Sequence, residues 1–232
     1  MERWEALKPA TSDAWVQKRR LATAMRLVIS RLVQSDAPED ELSRAADGLE
    51  EYSERLAGHP RLRRAHPGSE APTNPDVGSF VDQSPFVGLA NPLAPPLHIE
   101  EEDQWCVVGR VTYGAAYEGP PGCVHGGYVA AAFDEVLGFV QGLSGEPGFT
   151  GTLTVRYRRP TPLHTELRLL GEIARVEGRK IFAEGRLYAG ETLCAEAEGL
   201  FIMPHPEQYE RMLVARDRRD AAAASTGPEK SR

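Results

Sequence analysis

The sequence predicts an α+β chain: a five-stranded antiparallel sheet wrapped on one long central helix, with an N-terminal helical hairpin as an extension. Three observations predict it. Residues 128–143 (YVAAAFDEVLGFVQGL) are apolar nearly all round, which marks a helix buried against other structure. Four strand-like runs follow with no second helix between them. The first, TLTVRYR, alternates Leu153, Val155 and Tyr157 against Thr152, Thr154, Arg156 and Arg158, the period of two that a half-buried strand requires.

The N-terminal part has a different grammar. In residues 13–34, Trp15, Leu21, Met25, Val28, Ile29 and Leu32 recur at three- and four-residue steps, with Ser12 or Asp13 placed to cap. A second helical run follows Pro38. Acidic residues crowd its first turn and Gly58 closes it, as the helix dipole and C-cap preferences favour. Residues 1–57 are therefore expected to form a helical hairpin that packs on another surface. Residues 58–96 contain four glycines and eight prolines, incompatible with a helix or a central strand. We read 58–85 as a linker, 86–203 as the main domain and 204–232 as a tail with a disordered end.

In the main domain WCVVGRVTY (105–113) reads as the first strand, followed by the Gly/Pro loop YEGPPGCVHGG and then the helix. ELRLLGEIARV, KIFAEGRLYAG and ETLCAEAEGLFIM continue after TLTVRYR in hairpin succession, with EGRK and AGE as turns. Small and charged residues alternate through Ala195, Glu196, Ala197 and Glu198, so one sheet face is expected to be solvated or to meet a partner.

The formal net charge of -7 argues against a general nucleic-acid binder held by phosphate contacts. Mean hydropathy is -0.40 and no eighteen-residue apolar window occurs, so no transmembrane helix is expected. The first residues, MERWEALKPATSDAW, lack the apolar core of a secretory signal, and the expected location is cytoplasmic. Cys106, Cys123 and Cys194 are odd in number and widely spaced. They fit buried or reduced thiols better than a disulfide framework or a zinc knuckle, and no metal site is expected. The sequence has no GxSxG, P-loop, HExxH or GxGxxG. The remaining histidines, His59, His66, His98, His164 and His205, lie scattered in loops or beside prolines.

Chemistry concentrates at Val124-His125-Gly126-Gly127. Glycines that open a helix present backbone N–H groups without intrahelical acceptors, backed by the positive end of the helix dipole, and they let a substrate approach closely. Such a turn suits an anion or a developing oxyanion. Asp134, nine residues after His125, sits between Phe133 and Val136. A carboxylate in an apolar helix is costly unless paired or put to use, and the residues alone leave a structural and a functional role open. Glu135 points about 100° away and reads as solvated or interfacial. Arg156, Arg158 and Arg159 cluster in an otherwise acidic domain, a fork-rich patch suited to phosphate.

Together, the strand, the EGPPG-VHGG loop, the helix with Asp134 and the run FTGTLTVRYRRPTPL resemble the hotdog-fold acyl-CoA thioesterases. The resemblance covers about residues 86–203 and is closest to the phenylacetyl-CoA (PaaI-like) type and the animal thioesterase-superfamily members. It implies a hotdog fold and hydrolysis of an acyl-CoA. Gly126 would give its N–H to the thioester carbonyl, and His125 would orient the turn. Asp134 would act as base or nucleophile, and Thr150, sixteen residues later, would hold the attacking water. It also implies a substrate-binding set of Gly127, Thr152, Tyr157, Arg158 and Arg159. No cofactor is implied, since CoA is part of the substrate. The expected assembly is a homodimer or a dimer of dimers, with each site shared. Many relatives carry Asn six residues before the histidine, where this chain has Gly119. A non-catalytic acyl-CoA-binding module is the rival from another class. A hotdog hydratase is disfavoured, because its D-x4-H pair would need histidine where Phe139 stands.

Overall fold

The computed structural model describes residues 12–60, 81–103, 105–145, 148–205 and part of 207–218. Most of the expected linker and the end of the expected tail lie outside these residues. In chain order the elements are α1 (Asp13–Leu32), α2 (Glu39–Ala57), β1 (His98–Glu101), β2 (Cys106–Thr112), α3 (Gly126–Gly142), β3 (Phe149–Tyr157), β4 (Glu166–Glu177), β5 (Lys180–Ala189) and β6 (Thr192–Ile202). A short 3₁₀ turn, Ala115–Tyr117, precedes α3.

Helix α1 begins where its cap dictates. The Ser12 hydroxyl accepts the Trp15 N–H at 3.3 Å. It docks through a small residue and long polar ones rather than through its apolar stripe. Ala22 is its buried residue, while Val28, Ile29 and Leu32 remain exposed. The Trp15 indole N–H and Arg19 Nε (2.7 Å) both donate to the buried carboxylate of Asp82. Val81 and Asp82, inside the range read as linker, are themselves buried. Helix α2 has Glu39, Asp40 and Glu41 in its first turn, ends at Gly58 and buries no residue.

The sheet holds six antiparallel strands in the order β1-β2-β4-β5-β6-β3. This departs from the sequence reading in two places. First, β1 adds a sixth strand, pairing His98 with Arg110 at the edge. Its four residues follow Pro95-Pro96 and are too few to show a periodicity. Second, β3 is not hairpinned to β4 but pairs with β6, Thr154 opposite Glu198 and Tyr157 opposite Ala195. Residues 158–165 then cross the end of the sheet to reach β4. Backbone bonds from Val124 N to Thr161 O (2.9 Å) and from His164 N to Tyr113 O (2.8 Å) hold this crossover. Pro160, which cannot donate to a ladder, marks the departure.

Helix α3 lies in the concavity of the sheet. Phe133, Val136, Leu137 and Val140 are fully buried there, with Leu167, Leu169, Ile181 and Leu187 from the strands. Close approach depends on glycine. Gly171 and Gly185 face each other across β4 and β5. A Cβ at 171 would meet Val136 Cγ2's partner methyl, Cγ1, at 2.7 Å, and one at 185 would meet the Phe133 ring at 2.9 Å. The outer edge strand β3 stays exposed or half-buried along its whole length. No helix among the described residues is long and apolar enough to cross a membrane.

Candidate active site

The loop between the 3₁₀ turn and α3 closes on itself before the helix begins. Gly119 N donates to Cys123 O (2.9 Å), Gly122 N to the Glu118 carboxylate (2.6 Å) and His125 N to Tyr117 O (2.9 Å). The crossover supports it from outside, through Leu163 N to Gly122 O at 3.1 Å. A Cβ on Gly119 would lie 2.7 Å from His125 Cα, so this loop conformation depends on glycine at that position.

His125 is the N-cap of α3. Its Nδ1 accepts the Gly127 N–H at 3.0 Å, which places the proton of the neutral ring on Nε2. Tyr128 N returns to His125 O at 2.9 Å. The Gly126 N–H has no acceptor among the described residues. It is thus a free donor at a helix N-terminus. Tyr157, at the far end of β3, donates its hydroxyl to Gly126 O at 2.8 Å and covers the glycine so closely that a Cβ there would meet the hydroxyl at 3.3 Å. Gly127 is exposed beside it.

The second cluster lies further along the same helix. The Thr150 hydroxyl donates to Asp134 Oδ1 at 2.8 Å, and both residues are exposed. Asp134 is therefore not enclosed by the apolar residues beside it in sequence; the helix turns it away from the sheet. Gln141, fully buried, sets the strand that carries Thr150. Its side-chain oxygen accepts the Gly148 N–H at 2.8 Å and its amide donates to Gly148 O at 3.4 Å, fastening the start of β3 to the end of α3. The sequence analysis assigned Gln141 no role. Its place in a helix otherwise apolar was the available signal. Glu135 is half-buried and accepts from the Ser84 hydroxyl at 3.4 Å.

The two clusters do not meet within one chain. Eight residues of α-helix separate Gly126 from Asp134, about 12 Å along the axis. Thr152 lies on exposed β3 next to a bulge, opposite Leu200. The arginines are spent unequally. Arg156 is ion-paired with Glu198, and Arg158 Nε donates to Glu196 at 2.7 Å. Arg159 is exposed and has no ion pair among the described residues.

Beside the turn, Tyr117 and Tyr128 meet edge to face, with ring centroids 4.8 Å apart. Tyr113 lies 5.3 Å from Tyr117, and His125 lies 6.4 Å from Tyr128. Burial pushes the Tyr113 and Tyr117 phenols above their ordinary range, and the Arg26 charge opposes this at Tyr117.

A single helix bearing a free glycine amide and an exposed acid, cupped in an antiparallel sheet, defines the thioesterase-type hotdog architecture. The thioesterase superfamily model matches residues 121–196. A crystal structure of a thioesterase superfamily protein is 34% identical, with 84% of this chain and 97% of that one covered at a TM-score of 0.72. The chain belongs to the thioesterase superfamily. It is similar to the acyl-coenzyme A thioesterase THEM4 of Bos taurus, 35% identical over 97 residues, which are 41% of this chain and 40% of the relative. It is also similar to the acyl-coenzyme A thioesterase THEM5 of Homo sapiens, 30% identical over 97 residues, 41% and 39% of the two chains. The chain thus matches about two fifths of the length of these curated relatives.

Proposed function

We propose that this protein is an acyl-CoA thioesterase that releases a carboxylic acid and CoA, working as a homodimer with sites shared between subunits. The observation that carries the reading is the 2.8 Å contact between Thr150 and Asp134, which joins an exposed hydroxyl and an exposed carboxylate sixteen residues apart. The names of THEM4 and THEM5 support the substrate class.

In this reading the thioester carbonyl oxygen accepts the Gly126 N–H, so charge developing there meets a preorganised donor. His125 and Tyr157 fix the two sides of that peptide turn. Asp134 takes a proton from water held by Thr150 while the water oxygen adds to the carbonyl carbon. The tetrahedral adduct collapses with cleavage of the C–S bond, and the proton passes to the CoA sulfur. Direct attack by the carboxylate, giving an anhydride that water then cleaves, uses the same groups. CoA enters as part of the substrate, and its phosphates meet Arg159 first, then Arg158 if Glu196 yields it. Gly127 and Thr152, both exposed, would contact the bound substrate.

The 12 Å gap supports the dimeric part of this reading. A two-fold axis that sets two α3 helices side by side and antiparallel brings each Gly126 near the partner's acid and uses the exposed β3 edge. Three free thiols agree with a reducing cytoplasm.

A thiol-trapping assay over short, aromatic and fatty acyl-CoAs tests the reading. Hydrolysis abolished by Asp134→Asn supports it. Tight acyl-CoA binding without turnover in the wild type would instead establish the non-catalytic module.

A further inference from the structure

We infer that α1 is a brace for the catalytic turn, and that Arg26 and Tyr117 are the positioning residues through which it acts. This rests on the reading that the Gly126 N–H meets the thioester.

The path is continuous in the structure. Asp82 anchors α1 near its start through Trp15 and Arg19. About two turns after Arg19 the Arg26 guanidinium reaches across to two main-chain carbonyls, Asn91 O at 2.8 Å and Leu89 O at 3.2 Å. The same guanidinium bonds the Thr23 hydroxyl at 2.9 Å, which fixes the fork. Burial holds its pKa below the ordinary arginine value. The segment it grips leads to Leu93, whose carbonyl accepts the Tyr117 hydroxyl at 3.3 Å. Tyr117 belongs to the 3₁₀ turn against which α1 packs.

Tyr117 then touches the site twice. Its carbonyl accepts the His125 N–H at 2.9 Å, and its ring meets Tyr128, the residue after the two glycines. The turn is thus held on one flank by Tyr157 from β3 and on the other by Tyr117, which α1 supports. Glycine peptides resist reorientation weakly, so their aim depends on such flanking contacts. This accounts for an extension that spends its longest polar side chains, not its apolar stripe, on the main domain.

The test measures full-length protein in two ways. Arg26→Ala is expected to lower kcat about tenfold with KM within about twofold, since it alters aim rather than binding. Arg26→Lys, which can still reach one carbonyl, should recover most of that loss. Amide exchange at Gly127 and Tyr128 should quicken about tenfold in Arg26→Ala, with Ala183 and Ala197 in β5 and β6 unchanged. Unchanged kcat and exchange overturn the brace, even where Asp134→Asn still abolishes turnover. Equal acceleration of the β5 and β6 amides also overturns it, because the effect is then general destabilisation. Should the wild type hydrolyse no acyl-CoA, the thioesterase reading fails separately, and exchange at the turn still decides the brace.

Discussion

At the N-terminal end of α3 the Gly126 turn is enclosed by its own chain, with His125 Nδ1 on Gly127, Tyr157 on the Gly126 carbonyl and Tyr117 behind His125. At Asp134 the carboxyl has Thr150 as its partner and otherwise faces outward. One end of the helix is finished within the chain and the other is left open. The difference follows from helix geometry. Two groups eight residues apart on a rigid rod cannot bend toward one substrate atom, so they converge only when a second rod lies alongside. In the proposed mechanism the enclosed end aims the amide, and the open end is where a partner's turn would complete the site.

The largest expected effect breaks the open end. Asp134→Asn should lower kcat by about a thousandfold and leave the melting temperature within a few degrees, because an exposed, near-isosteric amide replaces the base without opening a cavity. Gly126→Val should be comparably inactive, since a Cβ already lies 3.3 Å from the Tyr157 hydroxyl and the two added methyls must push that ring off the turn. Co-expression of these two inactive chains then sharpens the comparison. Shared sites predict that about a quarter of wild-type activity returns, as half the dimers are mixed and each has one intact site. No recovery despite mass-verified mixed dimers would show that both groups act within one chain.

Next in size is Gln141→Leu. It leaves the buried Gly148 N–H without its acceptor, and should cost about 1–3 kcal/mol by denaturant titration. Activity should fall further than stability explains, because Thr150 shifts from Asp134. Tyr157→Phe removes the hydroxyl bond to Gly126 O but keeps the ring, and should lower kcat about tenfold with little change in stability. The smallest effect concerns the arginines. Arg159→Ala should raise KM for acyl-CoA about three- to tenfold, and Arg158→Ala by less, because Glu196 already occupies its fork. Measured KM values in the reverse order would move the phosphate site.

The residues of the proposed site stood out in the sequence because they are local or carry local signatures. The glycines of 126–127 announce a close-approach turn, and an acid between Phe133 and Val136 stands out in an apolar helix. The spacing to Thr150 came from family resemblance, and the structure brings that pair to 2.8 Å. The role of Gln141 was not legible, since its partners are main-chain groups at Gly148, which no side-chain pattern reports. Asp82 was equally hidden. It lies in a Pro/Gly-rich stretch, and only the arrival of α1 from more than sixty residues away turns it into a buried anchor.

Local sequence set the types of all the main elements but the first short strand, a helix start at Ser12 or Asp13, a helix end at Gly58, and the glycine turn that opens α3. Those depend on local periodicity, capping and backbone freedom, which act within a few residues. Only the tertiary structure shows that β3 lies beside β6 instead of β4, that β1 joins as a sixth strand, that among the described residues Arg158 has an ion pair and Arg159 none, and that α1 packs against the 3₁₀ turn before α3. Each of these depends on which distant segments share a surface, and pairing across a sheet or a loop leaves no periodic trace in either partner.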